Sequence, residues 1–219
     1  MEYRIAAIQR GATFQLVDQG RKVILKRADS EMARQLQAIA LHELDLSFCR
    51  YCVTQLASVD YEKQSDLAEA FWISCIARFY KCFGNSRART QLSEQKIFKG
   101  KPKAQLAYKY FRALRDKHII HDENPYSQGI VVVAINPPEA PDLLEKVFAT
   151  TIHVYIINEL ELKRLSELID STYAWVREKR AELEKLLTET YSQWTREQLL
   201  ALPDLTTTSP GLTDVYLSR

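Results

Sequence analysis

Apolar residues recur every three to four positions along most of the chain. From about Glu31 to Ser58 they fall at Leu36, Ile39, Ala40, Leu44, Phe48, Tyr51 and Leu56, the buried stripe of a helix capped by Asp29 or Ser30. A second helix is predicted over about 61–83, stopping at Gly84-Asn85. The polar connector 85–103 has room for a helical turn near Leu92–Phe98. A third helix opens after Pro102 and runs to about His121, ahead of Asp122-Glu123-Asn124-Pro125, because the residue before proline is pushed out of the α region. A fourth covers about Leu160 to Tyr191, with a short one near Arg196–Leu202.

In two places the period changes from helical to alternating. Thr13–Val17 and Lys22–Leu25 flank Asp18-Gln19-Gly20, a small hairpin signal. Gly129–Ile135 and Thr151–Ile157 are β-branched runs on either side of Asn136-Pro137-Pro138. The expected fold class is mainly α: a four- to five-helix bundle with a small N-terminal β segment and a two-stranded β insertion before the last long helix. The expected division is a β-containing segment at 1–28, a helical bundle at 29–202 with its insertion at about 127–157, and a flexible tail at 203–219.

Composition sharpens this picture. The 219 residues are 46% hydrophobic and 26% charged, with six Gly and seven Pro, which excludes low-complexity and collagen-like chains and disfavours a turn-rich β-barrel. Uncharged windows, such as Val147–Asn158, fall short of the ~18–20 residues of a membrane span. Met1-Glu2-Tyr3-Arg4 leads into no sustained apolar stretch, so the expectation is a cytoplasmic protein without membrane partners. Cys49 and Cys52 have CxxC spacing, with Cys75 and Cys82 following, and a four-thiolate zinc site has to be weighed. All four lie within helical periods and lack a Gly or Pro knuckle, which favours small buried hydrophobes.

Reactive side chains concentrate in Leu114-Arg115-Asp116-Lys117-His118-Ile119-Ile120-His121-Asp122-Glu123, where the third helix is about to end. Arg115 and His121 are separated by five residues, and a small polar residue, Asp116, follows the Arg. This segment resembles the defining motif of the HEPN superfamily, an Arg followed after four to six residues by a His. The resemblance covers about residues 29–200. It implies a helical bundle, a homodimer and a metal-independent endoribonuclease of RNA-maturation, toxin or anti-phage type, with an antitoxin or other regulatory protein as a further partner. The alternative within the resemblance is a non-catalytic module binding nucleotide, RNA or protein. One subgroup carries a regulatory Tyr two residues after the motif His. Glu123 stands there in this chain, and the nearest Tyr is Tyr126.

The residue types suit that chemistry on their own terms. RNA cleavage without a metal or cofactor needs a group that exchanges protons near neutral pH, the province of histidine, and His121 would supply it. A planar, permanently charged guanidinium, Arg115, can stabilise the attacked phosphate, and Asp116 can orient Arg115 or a His. By resemblance the products are a 2′,3′-cyclic phosphate and a 5′-hydroxyl. On an uninterrupted α-helix, six positions turn through about 600°, so Arg115 and His121 would point ~120° apart while His118 shared the face of Arg115. Either the helix loosens near Ile119–His121, or two subunits assemble a composite site. His118 continues the stripe Ala107, Phe111, Leu114; a supporting role is favoured over direct catalysis, although it could substitute for His121. A solvated helix end is the plain alternative for the whole cluster, and a zinc site at His118 and His121 with Asp122 or Glu123 is the other enzymatic one, with His42 and Glu43 the only other obvious candidate ligands.

Charge supplies the last clue. Arg78 to His118 holds twelve basic residues against two acidic ones, a net +10, leaving 18 basic against 26 acidic, a net −8, elsewhere. The near-neutral total of +2 therefore averages a cationic stretch and an anionic remainder. Arg78, Arg87, Arg89, Lys99, Lys101, Lys103, Arg112 and Lys117 are the expected RNA contacts, with Tyr80, Phe98, Tyr108, Tyr110 and Phe111 interleaved as stacking surfaces wherever they are exposed.

Overall fold

The computed structural model describes residues 16–18, 21–60, 63–86, 89–121, 126–153 and 157–205. The described chain is mainly helical, with two short antiparallel hairpins. It divides into two compact units, one of Glu43–Gly84 with Leu92–Trp175, the other of Met1–His42 with Asn85–Gln91 and Val176–Arg219.

The first unit holds the motif. It contains the later part of α1 (Glu31–Leu56), α2 (Ser65–Lys81), the short α3 (Glu94–Ile97), α4 (Pro102–Leu114) and the start of α5 (Glu159–Ser192). α1 buries Leu46, Cys49, Cys52 and Leu56, whereas Leu44 and Tyr51 are exposed. The stripe predicted from large apolar residues is therefore rotated: small thiols take the interior positions and bring α2 close. Cys49 Sγ lies 3.4 Å from the Cys75 carbonyl, and Cys75 Sγ 3.6 Å from that of Cys49. Trp72, Ile76, Phe79 and Tyr80 of α2, Phe98, and Tyr108, Phe111 and Leu114 of α4 complete a core rich in edge-on aromatic pairs, among them Trp72–Phe111 at 5.8 Å.

The insertion is a hairpin in which β3 (Ser127–Ile135) pairs with β4 (Leu144–His153), from Ser127 opposite His153 to Ile135 opposite Leu144, with a bulge after Ala134. β4 starts seven residues earlier than the alternation suggests, because Glu145 and Lys146 interrupt the apolar run while β3 dictates the register. The rest of the predicted second strand, 154–156, lies outside the described residues.

In the other unit, β1 (Leu16–Asp18) and β2 (Arg21–Val23) form the N-terminal hairpin; Thr13 to Gln15 of the predicted first strand are outside the described residues. α6 (Arg196–Leu200) starts in a capping box, Thr195 accepting from Gln198 N while Gln198 Oε1 accepts from Thr195 N. The start of the predicted flexible tail is held: Arg27 N donates to Pro203 O at 2.7 Å, and Lys26 Nζ meets Asp204 Oδ1 at 2.7 Å. Residues 206–219 are outside the described set. His42 is buried, with Nε2 2.8 Å from the Thr90 carbonyl, so it fastens the 85–91 loop.

Candidate active site

α4 opens with Pro102 at its first turn, where a missing N–H costs nothing, and ends at Leu114. The chain does not continue as α-helix. Arg115–Ile120 is a π-helical turn that packs against α2, and His121 closes it in extended conformation (φ −132°, ψ 142°). The sequence places the loosening near Ile119–His121; it begins at Arg115 itself. An i→i+5 ladder widens the turn, so the 100° schedule of an α-helix does not govern the motif, and single π turns inserted in α-helices are frequent at functional sites.

Arg115 is held by two neighbours. Its Nε donates to Asp116 Oδ1 at 2.6 Å and its Nη2 contacts the same oxygen, while its guanidinium stands 5.5 Å from the centre of the Tyr80 ring. Arg112 Nε lies 3.8 Å from Asp116 Oδ2, and its Nη1 4.0 Å from Glu94 Oε2. Tyr80 is itself fixed: buried, it donates its hydroxyl to the Tyr108 carbonyl at 2.5 Å. Burial first, then Tyr108, pushes the Tyr80 phenol far above its usual range, and burial with a hydrogen bond to Glu94 does the same to Tyr108. Both phenols are neutral hydroxyls near neutral pH. Sequence reasoning missed Tyr80 as the support of Arg115 and Glu94 as the partner of Arg112, since both pairings cross between elements.

His121 is exposed where the π turn ends, and Lys117 is exposed on the turn. His118 is half-buried, its ring edge-on to Tyr126 at 5.4 Å between centroids. Arg115, Asp116 and Arg112 thus form one linked group, with His121 at the end of the same turn.

The expected RNA contacts separate. Arg78 lies over the Phe48 ring at 4.2 Å and, with Lys81, faces the buried carboxylate of Asp45, each at 3.6 Å, so it joins α2 to α1. Arg87 is outside the described residues, and Arg89 belongs to the other unit. Lys99, Lys101 and Lys103 are exposed at the start of α4, about 20 Å along the helix from Arg115 at 1.5 Å per residue. Lys101 and Lys103 there join Lys163 and Arg164 of α5 around a groove of about 930 Å³, with Leu106 and Tyr110 in its wall. Lys101 Nζ donates to Ser171 Oγ at 3.0 Å. The two α5 cations were hidden in the acid-rich helix by sequence. Of the five interleaved aromatics, Tyr80, Phe98, Tyr108 and Phe111 are buried in the core, and Tyr110 alone is exposed.

All four cysteines are free thiols buried in the interior. Burial, then Cys49, pushes the Cys52 thiol up to about 11, and the hydrogen bond with Cys49 together with burial raises Cys75 well above 9.0. Cys52 and Cys75 are poorly suited to act as thiolate ligands or nucleophiles.

No protein-family model, no curated protein and no solved structure matches this chain.

Proposed function

We propose that this chain is a metal-independent endoribonuclease of the HEPN type, working as a homodimer with a composite site. The observation that carries the reading is the π turn: the helix changes its ladder at the first motif residue and releases the last one, His121, onto exposed extended backbone, with Arg115 already oriented by Asp116. In the reaction the RNA 2′-oxygen attacks the adjacent phosphorus, the 5′-oxygen leaves, and a 2′,3′-cyclic phosphate and a 5′-hydroxyl result. One group must take the 2′-hydroxyl proton and another must protonate the leaving oxygen. One His121 per chain performs one of these tasks, so the second copy supplies the other. Arg115 stabilises the charge gathering on the phosphate, and the basic groove between α4 and α5 holds the flanking backbone. As a toxin or anti-phage effector, such an enzyme would be restrained by an antitoxin or other regulatory protein.

The second reading, a non-catalytic binding module, draws on the Arg115–Asp116 contact, which occupies part of the guanidinium. RNA incubated with excess EDTA separates the two. Cleavage that resists the chelator and is lost in His121→Ala and Arg115→Ala supports the enzyme; binding without cleavage supports the module and sinks it. Abolition by EDTA in the wild type would point to a metal-dependent reaction instead.

A further inference from the structure

The α4–α5 groove lies within one compact unit and differs from end to end. The bond from Lys101 Nζ to Ser171 Oγ sets the start of α4 beside Ser171. Tyr110, about 10 Å further along α4 than Lys103, comes level with Arg164. Its phenol registers that neighbourhood: burial first, then Glu161 and Tyr126, raises it, while Arg164 pulls it down. Arg164 Nη1 donates to Glu161 Oε1 at 2.8 Å. Glu161 is only 9% exposed, is set by its own N–H bond to Asn158 Oδ1 at 3.0 Å, and its Oε2 has no hydrogen-bond partner among the described residues. A buried carboxylate with so few partners grips the guanidinium it has. Arg164 itself is half exposed, and its Nε/Nη2 edge has no partner among the described residues, so a two-pronged donor opens on the groove beside an aromatic wall.

We propose that this groove holds one unpaired guanosine of a bound RNA strand, its base stacked on Tyr110 and its O6 and N7 accepting from Arg164. A guanidinium fork fits two adjacent acceptors, and guanine carries that pair on one edge. Adenine sets its N6 amino group, a donor, against the fork, and pyrimidines have no N7. Stacking on Tyr110, with Leu106 and Leu160 nearby in the wall, favours any base and does not choose among them. Lys101, Lys103 and Lys163 serve the phosphates, which position the strand without reading it. Glu167, the one acid among the described lining residues, is an acceptor for ribose hydroxyls. Selectivity therefore sits on Arg164, and Glu161 is its positioning residue. The inference rests on the reading of this groove as an RNA track, and on neither cleavage nor the residues Arg115 and His121.

The test is fluorescence anisotropy of the full chain with a labelled oligouridylate carrying one central guanosine, beside the same strand carrying adenosine there, each strand checked on a gel to be intact. Wild type is expected to bind the guanosine strand about tenfold more tightly, the scale of one good bidentate contact. Arg164→Lys keeps the charge and removes the fork, so the ratio of the two affinities falls toward one. Glu161→Gln frees the guanidinium and lowers the ratio as well, and adding it to Arg164→Lys lowers it no further. Lys103→Ala weakens both strands by the same factor and leaves the ratio at the wild-type value, which a general loss of structure at Arg164 would not do. Equal binding of the two strands by wild type overturns the inference while the RNA track stands. Binding of neither strand overturns the track and the inference together. A wild-type ratio in Arg164→Lys overturns the assignment to Arg164.

Discussion

Asp116 receives Arg115 on one carboxylate oxygen, from Nε at 2.6 Å, while Arg112 stands 3.8 Å from the other. A single acid between two guanidiniums fixes the direction of Arg115, so in the cleavage reading Asp116 is a positioning residue. If the cleavage reading holds, Asp116→Ala lowers the chelator-resistant rate by about 100-fold, the scale of a misplaced catalytic group. Asp116→Asn keeps an acceptor oxygen and recovers part of that loss. Equal losses in the two variants would show that charge, and not orientation, is what Asp116 contributes.

Tyr80 serves Arg115 with its ring and the core with its hydroxyl, and the two services can be separated. Tyr80→Phe removes the bond to the Tyr108 carbonyl and is expected to lower stability by about 1 kcal/mol in urea denaturation. It leaves the ring beneath the guanidinium, so cleavage is unchanged. Tyr80→Leu removes both, with a larger stability loss and a reduced rate. A cleavage defect in Tyr80→Phe would refute this division.

Helix content was legible because periodicity records which face is buried, and α2, α4 and α5 follow it within a few residues. The rotation of α1 was not, since its stripe was traced through the larger apolar residues, whereas Cys49 and Cys52, buried as their helical setting favoured, are what face the interior. The motif residues could be read from their types and spacing. Their geometry could not, because a π turn depends on packing against α2 and not on local propensity. The charge run was misread in part for the same reason: linear proximity placed Arg78 with Lys101, whereas the fold gives Arg78 to Asp45 and gives Lys101 the company of Lys163 and Arg164.

The buried thiols predict a loss of stability in alkali. Cys52 holds its proton to about 11 in the folded chain against 9.0 as a free thiol. Below pH 9 both states are protonated and the full stabilisation is present. As pH rises from 9 toward 11 the unfolded chain gives up its proton and the folded chain does not, so unfolding gains. The urea midpoint is expected to fall across that window, with the raised phenols of Tyr80 and Tyr108 acting in the same direction at higher pH. Cys52→Ala should lower stability at pH 8 and flatten the slope. A thiol reagent at pH 8 should leave the folded chain unlabelled and modify all four cysteines in urea; labelling at the same rate in both would contradict their burial.

The groove makes a prediction about salt that Arg78 does not share. Each lysine that contacts a phosphate releases counterions, and its removal lowers affinity at every sequence while reducing the salt slope by about 1. Lys103→Ala and Lys163→Ala are therefore expected to weaken binding of single-stranded RNA and flatten its dependence on salt, and the double variant to flatten it by about 2. Arg78→Ala should behave in the opposite way. It strips a partner from the buried Asp45 carboxylate and a cation from the Phe48 ring, so the fold loses stability while the salt slope stays that of wild type. Fluorescence anisotropy at several salt concentrations, beside urea denaturation of the same variants, reads both quantities. A reduced slope in Arg78→Ala with none in the groove variants would move the RNA track from the α4–α5 groove to the α1–α2 face.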